Sequence, residues 1–204
     1  MASNLFKFFV LFFLSTLALN AKAVELKTHK IEVLVNDKMI TNYDIIQRIK
    51  INAIITQTNL DQDNYNKIYA AVVDELIKEN LKKNKIDEYD ISYSDEEYNQ
   101  KELRFLSSYQ IDKGVLMSLF DQNNVSYKDF KEFLVTELKW QKLIYGLYLR
   151  VTSVTDIEIE EIIKSNQRLT AAEAEEIIIQ KQLELKSNKL LKDMQNEATI
   201  EYKK

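Results

Sequence analysis

Apolar positions recur along this chain at two different spacings, and the spacing separates strands from helices. Ile31-Glu32-Val33-Leu34-Val35 alternates and is rich in branched residues, Asn36-Asp37-Lys38 supplies a turn, and Met39-Ile40 continues, which predicts a short β-hairpin. From Thr41 the period lengthens. Ile45, Ile46, Ile49 and Ala53 fall at helical spacing through about Thr56, with Thr41 as N-cap and Asp44 as its reciprocal acid. A polar loop at 59–64 follows. Its Asp61-x-Asp63 lacks the glycine and the glutamate of a calcium loop and reads as capping. A second helix is predicted over 65–84, with Ile68, Val72, Leu76 and Leu81 inward and Ala71, Glu75 and Lys78 outward.

Capping patterns mark the remaining helices. Ser94-x-x-Glu97 opens one to about Ser108, with the stripe Tyr98, Phe105, Leu106 and Tyr109. Asp112 opens a short one carrying Val115, Leu116, Leu119 and Phe120, stopped by Asn123-Asn124. Ser126-x-x-Asp129 caps a long helix over 127–150, and Val151 to Val154 breaks it. Thr155-x-x-Glu158 caps a short helix ending near Asn166, and Thr170-x-x-Glu173 caps the last, over 171–196. Ala198 to Tyr202 alternates again and predicts a terminal strand, placed beside the 31–40 hairpin, where it protects the edges. The fold class expected is therefore mainly α, with a small sheet completed by the C-terminal strand. It forms one domain over 24–204, in which 170–202 packs back on 31–166.

Two helices carry more apolar surface than one core requires. On 127–150 the apolar residues cover roughly 200° of the wheel at ~100° per residue, against a stripe a little over 100° wide on an ordinary surface helix. Such a helix is either central to the core or offers a flank, formed by Phe133, Trp140 and Leu147, to something else. Gly146 falls on its polar side. The last helix shows two stripes, one with Ala174, Ile178 and Leu185 and the other with Ile179, Leu183, Leu190 and Met194, as expected of a helix held between two bodies. Met117 lies off the stripe of its own short helix, where a flexible thioether suits adaptable apolar contact or fills a core gap.

Composition mainly excludes. The 204 residues contain no cysteine, no proline, two glycines and one histidine. Disulfides, cysteine-ligated zinc, thiol chemistry, a lipidated cysteine and a Gly-rich phosphate loop are ruled out. His29 sits outside the amphipathic pattern, and acid pairs such as Glu96-Glu97, Glu160-Glu161 and Glu175-Glu176 lie in first turns or on open faces, where they suit the helix dipole. No catalytic residue, cofactor, metal or small-molecule substrate is expected. Residues 8–19, FFVLFFLSTLAL, follow Lys7 and precede Ala21-Lys22-Ala23, the pattern of a secretory leader over 1–23, with the mature chain starting at Val24. Left uncleaved, the same segment would be an anchor. Without Lys7 and Lys22 the charge falls from -4 to -6, which argues against nucleic acid. The basic cluster Lys82-Lys83-Asn84-Lys85 reads as a solvated C-terminal helix turn.

The order of these segments resembles SurA-type periplasmic chaperones. IEVLVNDKMI at 31–40 with TNYDI at 41–45 is similar to that family's opening hairpin and helix, and AVVDELIKE at 71–79 to its next helix. SYSDEEYNQ at 92–100, VSYKDFKEFLVTELKWQKLI at 125–144 and VTSVTDIEIEEII at 151–163 resemble later helices. The segment 172–202 resembles the final helix and strand. The likeness spans roughly 30–202. Where the family inserts parvulin domains, only about Ser165 to Leu169 stands here. The resemblance thus implies a periplasmic, ATP-independent holdase for unfolded outer-membrane proteins, without prolyl isomerase activity. The expected client contacts, drawn from the helix wheels, are Tyr109, Met117, Phe133, Trp140 and Leu147. The apolar flanks also leave self-association open. The competing expectation is a scaffold subunit of an envelope complex with one fixed partner.

Overall fold

The computed structural model describes residues 30–58 and 62–203. The leader expected at 1–23, His29 and Asp61 lie outside the described residues. Strands β1 (Ile31–Val35) and β2 (Lys38–Thr41) form the hairpin and are followed by helices α1 (Asn42–Thr56), α2 (Gln62–Asp87), α3 (Asp95–Ser108), α4 (Lys113–Gln122) and α5 (Tyr127–Tyr148). A single 3-10 turn, Leu149–Val151, leads to α6 (Asp156–Ser165), α7 (Ala171–Glu197) and β3 (Ile200–Tyr202). The fold is mainly helical, with a small antiparallel sheet in the order β2-β1-β3.

The caps are where the side-chain patterns placed them. Thr41, Ser94, Thr155 and Thr170 each close a reciprocal box with the acid three residues on. Ser126 caps α5 differently. Its hydroxyl accepts from the Asp129 amide (3.2 Å), but its own amide donates to Oε1 of buried Gln47 (2.9 Å). The Gln47 side-chain amide in turn donates to the Asn124 carbonyl (3.2 Å), so a residue of α1 completes the cap of α5.

Closure of the sheet depends on the chain's far end. Val33, Leu34 and Val35 pair with Tyr202, Glu201 and Ile200. Asn36, at φ 55°, occupies the left-handed region that asparagine tolerates. Its amide donates to the Thr199 carbonyl (2.8 Å) and its side chain accepts from the Thr199 amide (3.0 Å). The hairpin turn is thereby tied to the C-terminal strand.

Three apolar clusters lie along the body. In the first, Val33, Val35 and Ile40 of the sheet meet Ile45 and Ile49 of α1 and Val72, Leu76 and Ile77 of α2, with Leu191, Met194 and Ile200 covering them. In the second, Ile51 and Ile55 on the other face of α1 meet Tyr98, Leu116, Phe120, Phe130 and Leu134. In the third, Ile86, Trp140, Leu143 and Ile144 meet Leu183 of α7. Helices α1, α2 and α5 each serve two clusters, which accounts for the wide apolar face of α5. The paired stripes predicted for α7 are only partly used: Ala174, Ile178 and Leu183 are buried, whereas Leu185 is exposed.

Helix α2 runs at both ends beyond the 65–84 expected, and its basic cluster is not a free solvated turn. Lys82 pairs with Glu137 (2.6 Å), Lys83 with Glu79 (2.8 Å) and Lys85 with Glu88 (2.5 Å). Gly146, inside α5, faces open space where a Cβ would stand. The variant Gly146→Ala is expected to stabilise the fold by up to about 1 kcal/mol, by helix propensity alone, read as a higher urea midpoint at unchanged slope.

Candidate functional site

Helix α5 forms the floor of a groove walled by α3 on one side and α7 on the other. One half, about 350 Å3, lies between Lys101 of α3 and Gln180, Glu184 and Ser187 of α7, over Trp140 and Ile144. The other half, about 370 Å3, lies beside Gln100 and Arg104 of α3, over Leu138 and Gly146. Gln141 and Tyr145, both exposed on α5, stand at the boundary between the two halves. Two contacts tie the floor to its walls. The Trp140 indole N–H donates to the Ser187 hydroxyl (2.9 Å), joining α5 to α7, and Lys142 donates to Glu97 (2.6 Å), joining α5 to α3. That lysine, with the Ser94 amide, holds the Glu97 carboxyl below the usual carboxylate range.

The α7 wall carries an arm. Helix α6 packs on α7, and the link between α5 and α6 is pinned by Gln182, which accepts from the Ser153 amide (3.3 Å) and donates to the Ser153 carbonyl (2.7 Å). Val151, Ile157, Ile177 and Leu185, in and beside this arm, are exposed apolar residues.

The five residues expected to contact clients are spread across the molecule. Tyr109 is 41% exposed at the end of α3, its ring against Phe105. Met117 is half-buried on α4. Phe133 is half-buried in the second cluster, under the Arg48 guanidinium. Trp140 is 4% exposed and belongs to the third cluster, which Leu147 flanks. Phe133, Trp140 and Leu147 therefore do not form one open flank. Packing of α2 and α7 against α5 covers Trp140, because a helix wheel counts apolar positions and cannot count the neighbours. Of the five, Trp140 alone borders the groove, from below.

Sequence reading missed the buried polar groups. Arg48 bonds Glu75 (2.6 Å) and Glu79, and Lys83 also reaches Glu79. Burial opposes both charges, but the pairing prevails, raising the Arg48 pKa and lowering that of Glu79. Glu102, buried on α3, accepts from Tyr98 (3.2 Å), Tyr127 and Lys113 (2.5 Å), knitting α3, α4 and α5 together. A small cavity of about 170 Å3 beside Arg48 is bounded by this pairing and reads as structural. The available signal was Arg48 standing between Ile45 and Ile49 on an apolar stripe, where an unpaired charge would be costly. Lys101 and Arg104 were missed too, because the α3 reading followed only its apolar residues.

Among the described residues no cluster of histidine, cysteine or acidic side chains could hold a metal ion, and no helix is long and apolar enough to cross a membrane. No family model matches the chain, and no curated protein matches it.

Proposed function

We propose that this chain is an ATP-independent holdase of the periplasm, a SurA-type helical module without isomerase domains, which covers unfolded outer-membrane or secreted proteins. The observation that carries the reading is the groove over α5. Its walls, α3 and α7, come from the middle and the C-terminal part of the chain, its floor is partly apolar, and it opens to solvent, as an extended client segment requires. Clients of this kind expose apolar side chains and unpaired strand edges in water. Covering them by mass action needs no nucleotide.

Purified mature chain at equimolar ratio is expected to suppress light scattering from several unfolded β-barrel proteins on dilution from urea. Unchanged scattering with all of them overturns the reading. The rate of cis–trans exchange in an X-Pro peptide is expected to stay at the uncatalysed value. The exposed apolar residues of the α6–α7 arm favour a second reading, a scaffold with one fixed envelope partner. Crosslinking in the periplasm separates the two, since many captured barrel precursors support the holdase and one constant folded partner supports the scaffold.

A further inference from the structure

The charges around the groove are unequally matched. Lys142 is paired with Glu97, and Glu137 with Lys82. Lys101 and Arg104, one turn apart on the α3 wall, form no ion pair or side-chain hydrogen bond among the described residues. Opposite them stands Glu184, an acid with no ion pair among the described residues. The α3 wall is thus locally cationic in a chain of net charge -4. Lys101 is half-buried. Burial, reinforced by the Arg104 and Lys82 charges and opposed by Glu137, holds its ammonium below the usual lysine range. An anion entering the groove would supply the hydrogen-bonding partner that this ammonium, with only the charge of Glu137 nearby, lacks among the described residues.

We propose that the groove selects extended segments of unfolded chain in which a carboxylate side chain lies close to aliphatic or aromatic ones. The carboxylate sits between Lys101 and Arg104, and the apolar side chains lie on Leu138 and Ile144 beside Tyr145. This rests on the holdase reading and deepens it by naming the segments preferred. Charge complementarity is the argument for this occupant: a neutral segment leaves the half-buried ammonium unmatched, and a basic one adds like charge to that wall.

The test uses fluorescein-labelled, unstructured peptides of equal length and apolar content, with aspartate, asparagine or lysine at the same positions. Anisotropy with the mature chain is expected to show the aspartate peptide binding about tenfold tighter than the asparagine peptide, and the lysine peptide weakest. In Lys101→Gln/Arg104→Gln the aspartate preference is expected to vanish while the asparagine peptide stays within about twofold. Gly146→Trp, which fills the groove from another side, is expected to weaken all three peptides. Equal binding of aspartate and asparagine peptides, a preference that survives the double variant, or indifference to Gly146→Trp overturns the proposal. If the preference is missing while aggregation is still suppressed, only the preference falls. If no peptide binds and aggregation proceeds unchecked, the holdase reading falls with it.

Discussion

Replacing Arg48 with alanine is expected to lower stability by about 3–5 kcal/mol, the cost of breaking a buried ion pair from one side. Arg48 is 6% exposed, and its guanidinium is shared between Glu75 and Glu79 while lying 4.5 Å over the Phe133 ring. Without it, Glu79 keeps Lys83 as its one charged partner among the described residues, and Glu75 keeps the Asn52 amide (3.0 Å). The deficit should depend on pH. In the wild type the folded-state pKa of Glu79 is depressed, so its contribution is complete above the unfolded value and is lost as pH falls through the folded one. In the variant, burial no longer faces Arg48, the folded value rises, and protonation relieves the penalty instead. Urea unfolding of both proteins should therefore show a gap that is largest near neutrality and narrows in acid. A gap independent of pH would mean that the loss comes from packing alone.

Trp140→Ala is expected to cost about 3–5 kcal/mol, with the damage concentrated at the seam between α5 and α7. The indole is buried among Ile86, Leu143, Ile144 and Leu183, and its N–H is the donor to Ser187. Truncation removes the apolar contact, leaves a cavity and frees the Ser187 hydroxyl. Hydrogen exchange should report faster opening of α7 than of α4, which packs in the second cluster around Leu116 and Phe120. Equal acceleration in both helices would show that the clusters unfold as one unit. A Ser187→Ala control, losing the hydrogen bond alone, is expected to cost about 1 kcal/mol.

Helix starts were legible where a cap marks them, because caps are local, whereas the ends of α2 were not. A hydroxyl and an acid three residues apart announce a helix start wherever they occur, and Thr41, Ser94, Thr155 and Thr170 behave accordingly. Return of the last strand to the first was legible for a related reason, since both alternate and a lone hairpin leaves edges open. Partner-dependent features were not. The second face of α1, Ile51 and Ile55, is unremarkable until α3, α4 and α5 surround it. Trp140 looked available because periodicity does not reveal how many helices crowd one side. The groove is a space between α3 and α7, some eighty residues apart in sequence, and no local pattern describes a space.

Pairing of β3 with β1 also has a consequence for biogenesis. Asn36 and Thr199 are 163 positions apart, so the strand that seals one side of β1 is made long after β1 itself. A chain made from its N-terminus can assemble its early helices first, but β1 keeps a bare hydrogen-bonding margin until residues 200–202 arrive. The sheet therefore closes by a long-range pairing, intrinsically slower than the local steps before it. A nascent or shortened copy meanwhile displays the same kind of sticky strand border that its proposed clients do.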